Sequence, residues 1–246
     1  MISKHFTRLI ALLLILPQAT YGIALPHLPV PHNLTHQGRS HHTQTGQMKL
    51  NTPGMFENNG TVISDTATNL TIGDLINHGS IRSGGTLYIQ ASNDIINLSG
   101  SIAGKDVTLK AGRDIRNERK ASHTEISTQL WREASISAEN DLNLAAGRDL
   151  AIVAASVKTG GNASLSAGNN ITVDTLATQQ NSSGAYNAYI NRTTHLGSQL
   201  AIGGNLTMQA GNDLQLTAAN VNVGGNMALH AGGDISLGNT AVVATG

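Results

Sequence analysis

The chain has 246 residues with 15 basic and 15 acidic side chains, so its formal net charge at pH 7 is zero. That balance removes the electrostatic case for nucleic acid or for an anionic membrane surface as partner. Cysteine is absent, which excludes disulfides, thiolate zinc sites and a thiol nucleophile, and the low content of aromatic and charged residues calls for an interior of Leu, Ile, Val and Ala.

At the amino terminus Lys4 and Arg8 precede an apolar run over residues 9–16, followed by small residues up to Gly22. This is the pattern of a signal peptide over residues 1–22, and the run is far shorter than the roughly twenty residues a membrane span needs. Export is therefore expected. Residues 23–47 hold Pro26, Pro29 and Pro31 together with His27, His32, His36, His41 and His42, and read as a linker or cap. Imidazoles can capture zinc, copper or nickel, but no acidic partner and no fixed ligand spacing accompany them, so no metal site and no cofactor are assigned.

From residue 48 to 246 the chain repeats itself. Asp74, Asp94 and Asp114 lie 20 apart, while Asp149 to Asn170 and Asp213 to Asp234 are each 21. A second position precedes these by 8, as at Asp106, Asp141, Asn162, Asn205 and Asn226. Between them run short alternating segments such as Leu206-Thr207-Met208, Asp213-Leu214-Gln215-Leu216 and a weaker third set at Ile81, Ile102, Val157 and Val221. Period 2 with three strands per turn of about 20 residues predicts an all-β fold, a parallel β-helix whose turns stack at roughly 4.8 Å. Gly at every 8 to 13 positions cannot continue an α-helix, and apolar residues in strict register argue against disorder. The Gly-Gly pairs at Gly84, Gly160, Gly203 and Gly224 and the Ala-Gly pairs are expected to supply positive φ at corners, with Asp and Asn bonding to nearby backbone in the turn.

An enzyme on such a scaffold would need carboxylates or basic residues set apart on one rung. Here the Asp recurs on every turn and is exchanged for Asn at Asn170, which a general acid would not tolerate. The chain is thus expected to have no catalytic residues and no small-molecule substrate. The calcium-binding nonapeptide repeat is excluded as well, because its GGxGxD pattern is absent.

The repeat is interrupted twice, near residues 117–137 and 176–200. The first interruption carries Arg116, Glu118, Arg119, Lys120, Trp131, Arg132 and Glu133, with the only tryptophan of the chain; the second holds Tyr186, Tyr189, Arg192 and His195. Trp131, Arg132, Tyr186, Tyr189 and Arg192 are the residues a contact site would use. The competing expectation is a pair of hairpins lying along the flank with their aromatics buried, with a strand from Thr124 to Ile136 and a turn at Asn181-Ser182-Ser183-Gly184.

The units A-G-[RN]-[DN]-[IL]-x-[IL] and G-G-N-[AL]-x-[LM]-x-A-G, as in GGNASLSAGNNITV and GGNLTMQAGNDLQL, resemble the haemagglutinin repeats of filamentous haemagglutinins and contact-dependent growth inhibition exoproteins. AGRDIRNERK and LATQQNSSGAYNAYI, where the interruptions begin, also resemble that family, and the resemblance covers residues 58–246. It implies a right-handed parallel β-helix, exported by two-partner secretion through an outer-membrane transporter, serving as an adhesin or as the stalk that delivers a toxin. The expected function is a non-enzymatic structural and adhesive segment, secreted or on the bacterial cell surface, meeting a cell-surface receptor or a glycan. The family's large secretion domain would precede the repeats, yet here they start soon after the signal, and the sequence stops at Gly246 in mid-turn. A truncated product is therefore expected, periplasmic if the missing domain blocks passage of the outer membrane, with end-to-end self-association through unpaired strand edges. The alternatives are an autotransporter-type passenger, which would need a carboxy-terminal barrel, and a carbohydrate-active β-helix enzyme, which would need an acidic cluster on one rung.

Overall fold

The computed structural model describes residues 33–42, 46–124, 127–183, 189–238 and 242–245. The expected signal peptide, most of the Pro/His-rich stretch and Tyr186 lie outside the described residues.

The described chain is a parallel β-solenoid, all strand and corner. Each rung contributes to three faces. Leu87–Ala91, Val107–Ala111, Leu142–Ala146, Ala163–Ala167, Leu206–Ala210 and Met227–Ala231 stack as the first. Ile95–Leu98, Ile115–Glu118, Leu150–Val153, Ile171–Asp174, Leu214–Leu216 and Ile235–Leu237 form the second, and the long strand Thr68–Asn77 feeds both. The third face is a nine-stranded sheet running from Arg39–His42 to Val242–Thr245, which gives about nine rungs.

Register is strict because the strand period of two leaves only one way to keep the apolar set inside. Leu70, Ile89, Leu109, Leu144, Leu165 and Met208 pair in succession and form one fully buried column. Each such side chain contributes about 1.5–3 kcal/mol on leaving water. The terminal rung is the exception, with Ile235 and Leu237 exposed.

The corners are built differently from the sequence expectation. Gly112, Gly147, Gly168, Gly211 and Gly232 all have ordinary negative φ; a Cβ at any of them would collide with the carbonyl oxygen of the corner one rung before. Glycine is required there by the close approach of stacked backbone, not by handedness. Among the described residues positive φ falls on Gly38 and Gly46 near the start of the solenoid, and on Ser99, Ala154 and Ala218, the tight corners that lead from the second face to the third.

The core is also less uniformly aliphatic than composition suggests. Asn58, Asn77, Asn97 and Asn117 are fully buried in one column, each Nδ2 donating to the Oδ1 of the next at 2.7–2.8 Å. The same amides also donate to carbonyls opening the third face, at Ser80, Ser101, Ser135 and Ser156. On later rungs Ile152, Val173 and Leu216 take over that position.

The stretch expected as linker or cap already contributes strands. Leu34–His36 pairs with Met48–Asn58, and Arg39–His42 pairs with Thr61–Ser64, so the solenoid starts before Met48. Among the described residues no group of three or more His, Cys, Asp or Glu is placed to hold a metal ion.

Candidate functional site

The recurring Asp and Asn open the first- and second-face strands. In the second-face series, Oδ1 of Asp74, Asp94, Asp114, Asp149, Asn170 and Asp213 accepts the backbone N–H of the counterpart one rung on, at 2.9–3.3 Å. In the first-face series Asp106, Asp141, Asn162 and Asn205 do the same at 2.8–3.4 Å. The expected bonds within the turn are thus replaced by bonds between turns. The reason is spacing, since a parallel neighbour about 4.8 Å away brings its N–H into reach of a short side chain. This backbone bond uses only an acceptor oxygen, and Asp and Asn both have one; their exchange along the repeat follows.

From Asp94 to Asp213 the residue before each of these completes the second-face ladder. Arg113 donates through Nε to Asp94 Oδ1 at 2.7 Å and Arg148 to Asp114 Oδ1 at 2.8 Å, with a second bond from each guanidinium to the other carboxylate oxygen. Asn93, Asn169 and Asn212 donate Nδ2 to Asp74, Asp149 and Asn170 in the same way. The Arg113 hydrogen bond holds the Asp94 carboxyl below its ordinary range against a smaller opposing effect of burial, and the Asp114 N–H adds to the lowering. The Asp residues named here are thus engaged in holding rung to rung.

The two interruptions leave from the same edge of the second face, two rungs apart. Each is a hairpin. Ala121–His123 pairs antiparallel with Thr128–Leu130, and Leu176–Ser183 pairs antiparallel with Tyr189–Leu196 over eight residues. The excursions are narrower than the repeat arithmetic indicates. Asn117 and Ile136 are fully buried in the solenoid, and the chain rejoins the third face at Ser135 and Ser198. The anticipated strand from Thr124 to Ile136 is therefore split, and Asn181, Ser182 and Ser183, expected in a turn, are strand residues, while Gly184 lies outside the described residues.

The hairpins do not lie separately on the flank. Ser127 bridges Gln180 antiparallel, and the Gln179 N–H donates to Thr128 Oγ1 at 2.9 Å. Together they make a small antiparallel fin along the rod.

Trp131 stands where the first hairpin returns, 43% exposed, beside Leu130, which is also exposed. Its backbone is held on both sides, the main-chain N–H donating to Lys120 O at 3.1 Å and the carbonyl accepting from Arg119 Nε at 2.7 Å, and the Lys120 ammonium sits 4.9 Å from the ring centroid. Arg132 reaches back to the solenoid, donating to the carbonyls of Ser99, His78 and Gly79 at 2.6–3.1 Å. An open cleft of about 590 Å³ lies beside the indole, with Glu57, Asn59, His78, Leu98 and Lys120 in its lining. Of the residues expected to make contacts, Trp131 is presented to solvent, Arg132 is committed to backbone carbonyls, and Arg192 is exposed on the second hairpin opposite Gln180. Tyr189 opens the Tyr189–Leu196 strand. The cleft residues Glu57, Asn59 and His78 escaped sequence reasoning, because they come from rungs far earlier in the chain.

The family described as hemagglutinin repeat matches residues 117–190 and 181–241, together more than half of the chain. The chain belongs to the hemagglutinin repeat family. It is 28% identical over 178 residues to the tRNA nuclease CdiA of Escherichia coli strain STEC_O31, covering 68% of this chain and 5% of that protein. It is 30% identical over 169 residues to the tRNA nuclease CdiA of Yersinia mollaretii, covering 57% of this chain and 6% of that protein. A third relative, the tRNA nuclease CdiA of Escherichia coli O6:K15:H31, is 32% identical over 154 residues, with 57% of this chain and 4% of that protein covered. The chain thus spans about one-twentieth of the length of these hemagglutinin-repeat relatives. No solved structure matches it.

Proposed function

We propose that the chain is a non-enzymatic stalk segment of a secreted adhesin or toxin-delivery exoprotein, and that the fin is its contact surface. One contrast supports this most. From Asp74 to Asp213 the recurring Asp or Asn is spent on stacking, while the two departures from the repeat converge on one flank and present the single tryptophan to solvent. A rigid rod with an exposed, immobilised aromatic is the arrangement a protein contact requires.

In this reading Trp131 touches the partner, with Arg192 contributing from the second hairpin. Arg132 holds the indole in place. The partner is a cell-surface receptor or a surface glycan. Export begins with residues 1–22 as signal peptide and continues through an outer-membrane two-partner transporter to the cell surface or medium. The toxin activity named for the relatives would belong to a part of the parent protein outside this segment.

The test is binding of purified protein to target bacterial cells. Trp131→Ala is expected to weaken binding roughly tenfold or more without changing the melting temperature. Undiminished binding by the folded variant would remove the fin from the contact.

A further inference from the structure

The fin has a geometric rule. Successive rungs stand about 4.8 Å apart, so excursions two rungs apart are separated by roughly 9.6 Å, the width of two paired strands. A two-stranded hairpin leaving at every second rung therefore tiles into a continuous sheet. The rung between them and the rungs on either side keep tight positive-φ corners, at Ala154, Ser99 and Ala218. The strand order is Ala121–His123, Thr128–Leu130, Leu176–Ser183, Tyr189–Leu196, and the outer edge of the last strand is unpaired among the described residues.

The direction of that edge's backbone groups can be read. Gln179 and Thr193 are paired, and the Gln179 N–H points away from Thr193, toward Thr128 Oγ1. Both members of an antiparallel pair face each other or both face away. Thr193 therefore turns its N–H and C=O onto the open edge. Thr194 turns inward, its carbonyl accepting from Thr178 Oγ1 at 3.0 Å. The strand contains no Pro and no Lys, its pairing runs through eight residues without a bulge, and Arg192 is its one Arg or Lys.

We propose that this edge pairs with the same strand of a second copy of the chain, antiparallel about a two-fold axis at Thr193. The outward groups of Thr193 then bond to their own symmetry mates. The register brings Arg192 opposite Thr194 of the second copy, whereas an axis one residue earlier would oppose two guanidinium groups. Antiparallel pairing of identical strands is self-complementary, as an isologous contact must be. The same mode of docking already joins the two hairpins at Ser127 and Gln180. A single strand pair buries well under the roughly 1,200 Å² of a stable interface, so the contact is weak in solution and gains strength where many rods stand side by side.

The test uses sedimentation of the full chain over a range of concentrations, with single-cysteine variants made possible by its lack of cysteine. The expected results are a concentration-dependent dimer, a disulfide dimer on mild oxidation of Thr193→Cys, and at least tenfold less cross-linking of Arg192→Cys. Thr193→Lys should sediment as a monomer at the same concentrations with an unchanged melting curve. A monomer at every concentration, a dimer that survives Thr193→Lys, or equal cross-linking from both cysteines would overturn the proposal. A dimer formed through the exposed end rung would give the second of these. None of these outcomes bears on the stalk reading, which the cell-binding test decides separately.

Discussion

The early and late rungs share one backbone path but fill the same inward position in opposite ways. Asn58, Asn77, Asn97 and Asn117 build a polar column in the first half, and Ile152, Val173 and Leu216 build an apolar one in the second. The switch falls at the rung where the first hairpin leaves. Both solutions work because each is complete: stacked amides satisfy one another and the third-face carbonyls, and stacked aliphatics ask for nothing. A repeat thus tolerates either chemistry provided that neighbours agree.

Mixing the two chemistries should be costly. Asn97→Leu leaves Asn77 Nδ2 without its acceptor and Asn117 Oδ1 without its donor in a dry interior, and chemical denaturation should show a loss of about 3 kcal/mol. A loss below about 1 kcal/mol would mean that the amides contribute no more than packing. The boundary gives a sharper comparison. Ile152→Asn would sit against Asn117 and extend the polar column by one rung, whereas Val173→Asn would be flanked by Ile152 and Leu216. The first should cost less than the second by about 1 kcal/mol. Equal costs would break the idea that neighbours must match.

The fin gives a smaller effect. Arg132→Ala removes donors from three corner carbonyls and should cost about 1 kcal/mol, while Trp131→Ala, whose ring is largely in water, should cost less than about 0.5 kcal/mol. A larger loss for the tryptophan would mean that it serves the fold. The smallest effect is in acid. Because Arg113 lowers the Asp94 carboxyl in the folded chain, its contribution is present above the unfolded carboxylate pKa and is lost as pH falls through the lower folded value. Arg113→Gln should flatten the acid limb of a melting-temperature profile below about pH 4 and leave the neutral region almost unchanged.

The solenoid itself was legible in the sequence. Period-two alternation inside a 20-residue repeat specifies which residues face inward, and the three strand sets fall where that pattern puts them. What escaped reading was mostly contact between rungs. Asn58, Asn77, Asn97 and Asn117 recur every 19 or 20 residues in an inward slot, but asparagine in a glycine-rich repeat looks like a turn residue. The glycines were found for the wrong reason, since positive φ and close backbone approach leave the same trace in a sequence. Arg132 finds its carbonyls 33 to 54 residues earlier, a pairing that only the stacked geometry reveals. The hairpins were anticipated, but their union into one fin was not, because it depends on hairpin width matching two rungs.

Inward residues carry the fold, while the rung-to-rung bond of the recurring Asp needs only an acceptor oxygen. Adjacent residues test it most directly: Leu214 is fully buried in the second-face column, and Asp213 beside it uses Oδ1 to receive the Asp234 N–H. Melting curves of the two single variants should diverge sharply. Leu214→Asp buries an unpaired charge and should lose more than about 4 kcal/mol, while Asp213→Asn keeps the acceptor and should stay within about 0.5 kcal/mol of the parent. Similar, mild effects for both would contradict the account.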